Sequence, residues 1–514
     1  MSSPKEVELK FELAPKGVRR LKHLPLLHGL PPRDETEVSV YFDTPKHKLR
    51  KNGLTLRVRR IGKRRVQTIK ASGNARAFER DEWESEIDGD NPDLRAARGT
   101  AIEPLLTKKF QRQLRPVFQT RVRRTTYPLA NGASNVVLTL DQGQIDTGRR
   151  SSPLCEIELE LKRGDRSALF AVARELTHTL PAQLALKSKS ERGYDLVDNR
   201  AVTSEKGTPV RLRAGMSTRK AFRAIGHACL KQVIANEPAV LAGDADGVHQ
   251  MRIGLRRLRA AISLFPEILG DAQTEKVKND LKWLSGELGP LRELDVFVTR
   301  VVTPVKRRHP RGQGVPGLSN DFEQQRTAAL ERAQDALRSA RYRTLALNVA
   351  AWLETGNWTK PQDDLVRGRG EVPIETSAAA QLTRRWKKIR KKGKSITELD
   401  ARRRHKLRIQ AKKVRYAAEF FAGVFPGKKA SKRRDAFLSA LKDMQDCLGD
   451  LNDIVVHGSM TSDIAKNGKG HKDKSKRAFA AGLLTGREDA RLDAVLGAAG
   501  TAYDKFAEVR PFWK

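Results

Sequence analysis

The sequence predicts a multidomain chain, α+β at its start and all-α afterwards: an N-terminal eight-stranded antiparallel β-tunnel with flanking helices, then a C-terminal region of two repeated helical units. Three observations lead there. Up to about Asn199 the chain runs in short segments that alternate charged and apolar residues between Gly, Pro and Asn breaks, the period of antiparallel strands. After the polar stretch "AVTSEKGTPVRLRAG" it turns helical, rich in Ala, Leu, Arg and Lys at helix spacing. Within that helical region a single basic helix pattern is written twice. The expected domains are 1–200, a linker at 201–215, and 216–514.

The strands come in order. "KEVELKFELA", from Lys5, puts Glu6, Glu8 and Lys10 on one face and Val7, Leu9 and Phe11 on the other, because strand side chains alternate. "TEVSVYF" follows, then "GLTLRVRRI" with Arg57 and Arg59, "RVQTIKAS" with Lys70, and "RDEWESEI" with Arg80, Glu82 and Glu84. "FQTRVRRTTY" sets Arg121 and Arg123 around Val122, "NVVLTLD" ends at Asp141, and "CEIELELK" alternates Glu156, Glu158 and Glu160 with Ile157, Leu159 and Leu161. "SALFAVARELTHTL" is the clearest intervening helix. An open antiparallel sheet would leave each charged face in water. Here the acidic faces belong to the first and last strands and the basic ones to the middle, which suits a barrel with its charges inward and helices over its apolar outside. So many inward charges demand a compensating ligand. Arg and Lys offer donors to phosphate oxygens, and clustered carboxylates offer hard oxygen ligands to Mg²⁺ or Mn²⁺.

In the helical region "HQMRIGLRRLRAAISLF" from His249 matches "HKLRIQAKKVRYAAEFF" from His405, and "LGPLRELDVF" from Leu288 matches "LGDLNDIVVH" from Leu448. His249, Arg252, Arg256 and Arg259 share one side of a helix, and His405, Arg408, Lys412 and Arg415 repeat that stripe. Two such helices packed together would line a groove too positive to stay without an anion. "PVKRRHPRGQGVPGLSND" and "AKNGKGHKDKSKR" mix charge with Gly and Pro and read as loops. The 100 Lys and Arg against 61 Asp and Glu give a formal charge of +39, shared by both regions, which favours a polyanionic partner. A 6% aromatic content, with no RNP-like or helix-turn-helix pattern, argues against nucleic acid. Cys155, Cys229 and Cys447 lie far apart, which argues against a zinc site or a disulfide framework and for a reducing cytoplasm. No apolar run is long enough to span a bilayer, so no membrane is expected.

Glu6-Val7-Glu8-Leu9-Lys10 resembles the ExExK signature of the CYTH, or triphosphate tunnel metalloenzyme, superfamily. Later features fall in that family's order: "YFDT" from Tyr41, "LTLRVR" from Leu54, Lys70, the Arg80/Glu82/Glu84 strand, Arg121 and Arg123, Asp141, "EIELELKRG" from Glu156 and "KSKSERGY" from Lys187. The resemblance implies a tunnel around a triphosphate, with Glu6, Glu8, Asp141, Glu156, Glu158 and Glu160 as metal ligands or their neighbours. It implies phosphate contacts from Lys10, Arg57, Arg59, Lys70, Arg80, Arg121, Arg123 and Lys187, with Glu6, Glu8, Lys10 and Glu158 in the catalytic set. The helical region resembles the CHAD domain, the conserved histidine α-helical domain found behind CYTH domains, which implies inorganic polyphosphate on the two His/Arg/Lys stripes. Taken together, the chain resembles bacterial CYTH-CHAD inorganic triphosphatases. That resemblance implies Mg²⁺- or Mn²⁺-dependent hydrolysis of inorganic triphosphate to pyrophosphate and phosphate in the cytoplasm, with polyphosphate granules as a candidate station. The alternatives are a non-catalytic polyphosphate-binding or targeting protein, and a tunnel enzyme acting on thiamine triphosphate or ATP.

Overall fold

A computed structural model describes residues 5–71, 78–309, 314–466 and 471–514. It divides into two compact units: Met1–Glu205 with Leu230–Ala242 and Arg338–Gly356, and Lys206–Cys229 with Gly243–Leu337 and Asn357–Lys514.

The first unit is built on the alternating strands. β1 (Lys5–Glu12), β2 (Arg33–Asp43), β3 (Leu54–Ile61), β4 (Arg64–Ala71), β5 (Glu79–Glu86), β6 (Arg115–Asn131), β7 (Ser134–Asp146) and β8 (Ser151–Arg163) form one antiparallel sheet in the order β5-β4-β3-β2-β6-β7-β8-β1. Pairing of β1 with β5, through Glu6 opposite Arg80, closes it into an eight-stranded barrel. Closure removes the free edges that an open sheet would expose. A short ninth strand, β9 (Gln183–Ala185), adds to the end of β1.

The alternation sorts itself as the charge pattern requires. Leu9, Phe11, Leu138, Leu140, Ile157 and Leu159 are buried on the outer face, where the helix Arg166–Thr179 covers part of it with Leu169, Phe170, Ala173 and Leu176. A second outer cluster gathers Phe42, Leu49, Leu54, Leu56, Val58, Ile69 and Phe110. The opposite faces of the same strands carry the ionic residues into the barrel. Apolar area leaves water outside the wall, so the interior is free to be polar.

The second unit is helical. Its repeated segments become two equivalent helices, Ala245–Leu264 and Ala401–Phe420, each with an aspartate N-cap, Asp244 and Asp400. Phe265 and Phe421, the last residues of the two copies, meet with ring centroids 6.1 Å apart, and Phe222 joins Phe265 and Trp358 at 5.3 and 5.0 Å. The second pair of repeats differs. Gly289–Phe297 is a helix of its own because Pro290 favours a new first turn, whereas its counterpart, without a proline, lies inside the helix Lys428–Lys466. The two segments read as loops are mostly helix: Thr303–Arg308 and Val315–Arg338 occupy most of the first, and Lys428–Lys466 and His471–Asp489 most of the second. Pro316 sits in a first turn, where a missing N–H costs nothing, and Pro304 follows directly on the π-helical turn Val298–Val302, where the backbone hydrogen-bond ladder is already shifted. Residues 310–313 and 467–470 lie outside the described set.

Candidate active site

Strand register assigns the inner face of the barrel. Opposed pairs run around the wall: Lys10 with Glu158, Glu8 with Glu160, Asp141 with Glu156, Arg124 with Asp141, Tyr41 with Arg57, Ser39 with Arg59, Lys70 with Glu82, and Glu6 with Arg80. The wall is polarised. On β1, β7 and β8 the acids form one bank, and on β3, β4 and β5 Arg57, Arg59, Lys70 and Arg80 supply most of the other. Lys10 Nζ lies 2.6 Å from Glu158 and 3.3 Å from Glu8; Lys70 Nζ lies 2.6 Å from Glu6 and 3.1 Å from Glu82. Arg59 reaches Glu37 at 3.5 Å and Glu84 at 3.3 Å.

One end of the interior is apolar. Tyr41, Phe118, Val122, Ile145 and Leu154 pack there with Tyr194, which belongs to the helix Lys189–Val197. That helix is held at both ends. A reciprocal Ser188/Glu191 capping box fixes its start. Further along, the Tyr194 hydroxyl donates to Asp43 Oδ2 at 2.7 Å, while Asp43 also accepts the backbone N–H groups of Thr44, Leu49 and Arg50 at 2.7, 2.9 and 3.1 Å. Gly193 lies so close to Phe118 that a Cβ there would collide with its ring.

In the helical unit the two stripes face each other. Arg256 interacts with Arg408 and Lys412, and Lys412 also with Arg252. Burial, Arg408 and Arg256 push the Lys412 amine down to about 7; burial, Arg256 and Arg292 push Arg252 down to about 10. Burial, Arg292 and Arg256 bring His249 to about 4, so its ring is neutral at pH 7. The Nε atoms of Arg252, Arg256 and Arg408 are buried without a hydrogen-bond partner. Of the remaining stripe residues, Arg259 is exposed near Lys413, Arg415 pairs with Glu419 at 2.8 Å, and His405 Nδ1 contacts Asn452 Oδ1 at 2.6 Å.

These features coincide with what known families share. The CYTH domain family matches residues 4–194, and the CHAD domain family matches residues 224–461. The chain joins a CYTH domain to a CHAD domain. An inorganic triphosphatase of Haemophilus influenzae is 29% identical over 203 residues, which cover 38% of this chain and 56% of that protein. The matched stretch thus spans little more than half the length of that relative. An uncharacterized protein of Mycobacterium tuberculosis is 26% identical over 480 residues, covering 88% of this chain and 87% of its own. Among solved structures, the CHAD domain from the plant Ricinus communis is 28% identical with a TM-score of 0.49, covering 59% of this chain and 96% of that one.

CYTH tunnel enzymes use divalent metals, and the donor set here fits one. Among the described residues, Asp141, Glu156 and Glu158 each offer an oxygen, all within 4.8 Å of one another, the hard ligands a divalent cation takes. Burial alone would raise all three. For Glu158, Lys10, Lys189 and Arg124 overcome burial and hold the carboxyl well below its ordinary range; for Asp141, Lys189 and Arg124 do the same more weakly. Glu156 stays raised, because burial and repulsion from Glu158 outweigh Lys189. On β1, burial and Glu8 push Glu6 up to about 7, whereas Lys10 and Lys70 overcome burial at Glu8 and keep it low. Arg57 Nε and Arg59 Nε are buried without a hydrogen-bond partner, donors that a phosphate would satisfy, whereas Glu8 Oε1 has the Lys10 ammonium at 3.3 Å. Glu160 lies nearer the mouth, paired with Lys162 at 2.7 Å.

Three expected phosphate ligands are elsewhere. Arg121 and Arg123 lie on the exposed outer face of the CYTH barrel, Arg123 bonded to Asp34 at 2.8 Å. β6 turns Val122 and Arg124 inward instead, and Arg124 grips Asp141 through two hydrogen bonds of 2.7 and 2.8 Å while reaching Glu158 at 3.2 Å and Glu37 at 3.6 Å. Lys187 stays outside with Asp195 and Glu205 at 2.9 and 3.3 Å. Two residues later, Lys189 enters the acid bank and touches Asp141 at 2.7 Å, Glu158 at 3.0 Å and also Glu156. In the CHAD repeat, Arg292 beside His249 and Asn452 beside His405 occupy the same place in the second pair of matched segments, a correspondence that aligning the copies would have revealed.

Proposed function

We propose that the CYTH barrel is a metal-dependent inorganic triphosphatase, cleaving tripolyphosphate to pyrophosphate and phosphate, and that the paired CHAD helices bind inorganic polyphosphate. The observation that carries the enzymatic reading is the polarised interior: a carboxylate bank with metal-ligand chemistry opposite a cationic bank whose buried Arg57 and Arg59 Nε atoms lack hydrogen-bond partners. A site for anion alone has no use for the acids on β1, β7 and β8.

In this reading Asp141, Glu156 and Glu158 would hold Mg²⁺ or Mn²⁺, with Glu6 and Glu8 beside them on β1. Bound there, the ion would neutralise charge developing on the phosphoryl oxygens and template the attacking water. The remaining work belongs to the chain. Arg57, Arg59, Lys70, Arg80, Lys10 and Arg124 orient the phosphates by charge-assisted hydrogen bonds. The apolar plug of Tyr41, Phe118 and Tyr194 excludes water from one end, which favours a chain terminus over a threaded polymer. On the CHAD side, Arg252, Arg256, Arg408 and Lys412 form a track for regularly spaced anions, and binding should weaken steeply with salt through counterion release. The cytoplasm is part of this reading, on the strength of the three widely spaced cysteines.

The test is a phosphate-release panel with tripolyphosphate, ATP, thiamine triphosphate and long-chain polyphosphate, each with Mg²⁺ and Mn²⁺. Tripolyphosphate is expected to turn over fastest and chelation to stop it. Equal turnover in excess chelator, or no turnover of any substrate with retained polyphosphate binding, rejects the enzyme in favour of a binding protein.

A further inference from the structure

Lys189 has no role in the chemistry proposed for the barrel, yet its ammonium contacts all three carboxylates of the acid triad, Asp141, Glu156 and Glu158. Its placement is not incidental to a floppy side chain. The residue is buried at the first position of a helix whose start is capped by Ser188 and Glu191, whose body is tied to Asp43 through Tyr194, and whose Gly193 abuts Phe118. The three acid oxygens that could converge on a cation lie within 4.8 Å of one another, so one centre can touch them all. The lysine nitrogen is that centre. An ammonium and a divalent ion satisfying the same three oxygens exclude each other sterically, and they repel as like charges in a low-dielectric interior.

We propose that Lys189 is the resident counter-cation of the acid triad and competes with the divalent metal for it, so that metal loads readily only when a phosphate substrate offers the displaced ammonium a new anionic partner. This rests on the triphosphatase reading and adds to it an order: the metal and the triphosphate bind cooperatively, each favouring the other. In a cell, the tunnel would stay closed to stray divalent ions until its substrate arrives. Arg124 does not serve the same purpose, since it bonds Asp141 and Glu158 from the side and does not contact Glu156.

The test measures Mn²⁺ binding directly, by calorimetry and by the electron paramagnetic resonance of bound Mn²⁺, on the full chain without substrate. Lys189→Met should bind Mn²⁺ at least about tenfold more tightly than the parent, since a competing charge is gone, and Lys189→Arg should restore weak binding. Adding the non-hydrolysable imido analogue of triphosphate should tighten Mn²⁺ binding in the parent and little in Lys189→Met. Thermal melts in chelator provide a second readout that does not depend on metal binding. There Lys189→Met should melt below the parent, its triad being left without its counter-cation, and Mn²⁺ should reverse that order. Lys10→Met, which also frees Glu158 but leaves Asp141 and Glu156 with Lys189, should shift Mn²⁺ affinity much less. Unchanged or weaker Mn²⁺ binding in Lys189→Met, with the parent still hydrolysing tripolyphosphate, overturns the competition and leaves the triphosphatase intact. Absence of both Mn²⁺ binding and hydrolysis in the parent overturns the two together.

Discussion

Adjacent arginines on one strand differ completely in what they do. Arg121 and Arg123 are exposed on the outer wall of β6, whereas Arg124 faces Asp141, Glu37 and Glu158. Arg121→Ala should therefore leave tripolyphosphate hydrolysis within about twofold of the parent, while Arg124→Met should lower kcat by about a hundredfold or more, the scale of losing one electrostatic contact in a preorganised site; steady-state kinetics on the pair decide it. The face each strand presents was legible on β1 and β8, where the charges obey a strict period of two. On β6 the sequence Arg121-Val122-Arg123-Arg124 satisfies either phase, and the phase is set by partners on β2 and β7 that no local pattern announces. Lys187 and Lys189 pose the same ambiguity at a helix start. In the CHAD groove Lys412 makes a prediction about pH. Its amine is lowered to about 7, so the free protein loses that charge as pH rises through 7, and polyphosphate affinity should fall between pH 6 and 8 at fixed salt. Folding stability moves the other way there, because from about 7 to the ordinary lysine range near ~10.4 the unfolded chain holds a proton the folded one lacks. Lys412→Met should flatten the binding profile, as titration calorimetry at pH 6, 7 and 8 would record.

Among elements, the helix Lys189–Val197 is the least obvious from sequence and the most consequential for the tunnel. "KSKSERGY" can be recognised as a motif, but its physical purpose emerges only with "YFDT", because Asp43 of that motif is the acceptor for Tyr194. Asp43 looks like a candidate phosphate or metal neighbour and is neither: it is fully buried, and its oxygens are engaged by three backbone N–H groups and one hydroxyl. Asp43→Ala should cost about 3 kcal/mol of stability by orphaning buried donors, read by urea denaturation, and should speed hydrogen exchange in residues 189–197 more than in β7 or β8. The helical repeat illustrates the converse. Its two copies are plain in the sequence, and the Ala245–Leu264 and Ala401–Phe420 helices do face each other, but the segments that read as loops are mostly helical, since a proline in a first turn, as Pro316, or just after a π-helical turn, as Pro304, does not break a helix.

At the scale of the molecule, the barrel unit is discontinuous in sequence. Leu230–Ala242 and Arg338–Gly356 cluster with it although they fall inside the stretch matched by the CHAD family. The half-buried Arg166 makes the tie explicit by bridging Glu79 of β5 at 2.6 Å to Glu354 of the Ala340–Thr355 helix. A fragment of residues 1–205 lacks that helix and should melt several degrees below the barrel of the full chain and be cleaved faster by protease, even though every strand is present; supplying the rest of the chain as a separate polypeptide should restore some of the loss. The shift in texture near Asn199 separates strands from helices, but which helices serve the strands depends on packing across more than 100 residues, which periodicity does not encode. The same discontinuity bears on the birth of the protein. At ~5–20 residues per second, a ribosome that has finished the last barrel strand needs roughly ten to forty seconds more to deliver Gly356, and throughout that interval the nascent barrel carries an outer face still waiting for its cover, the stage at which a chaperone would have most to hold.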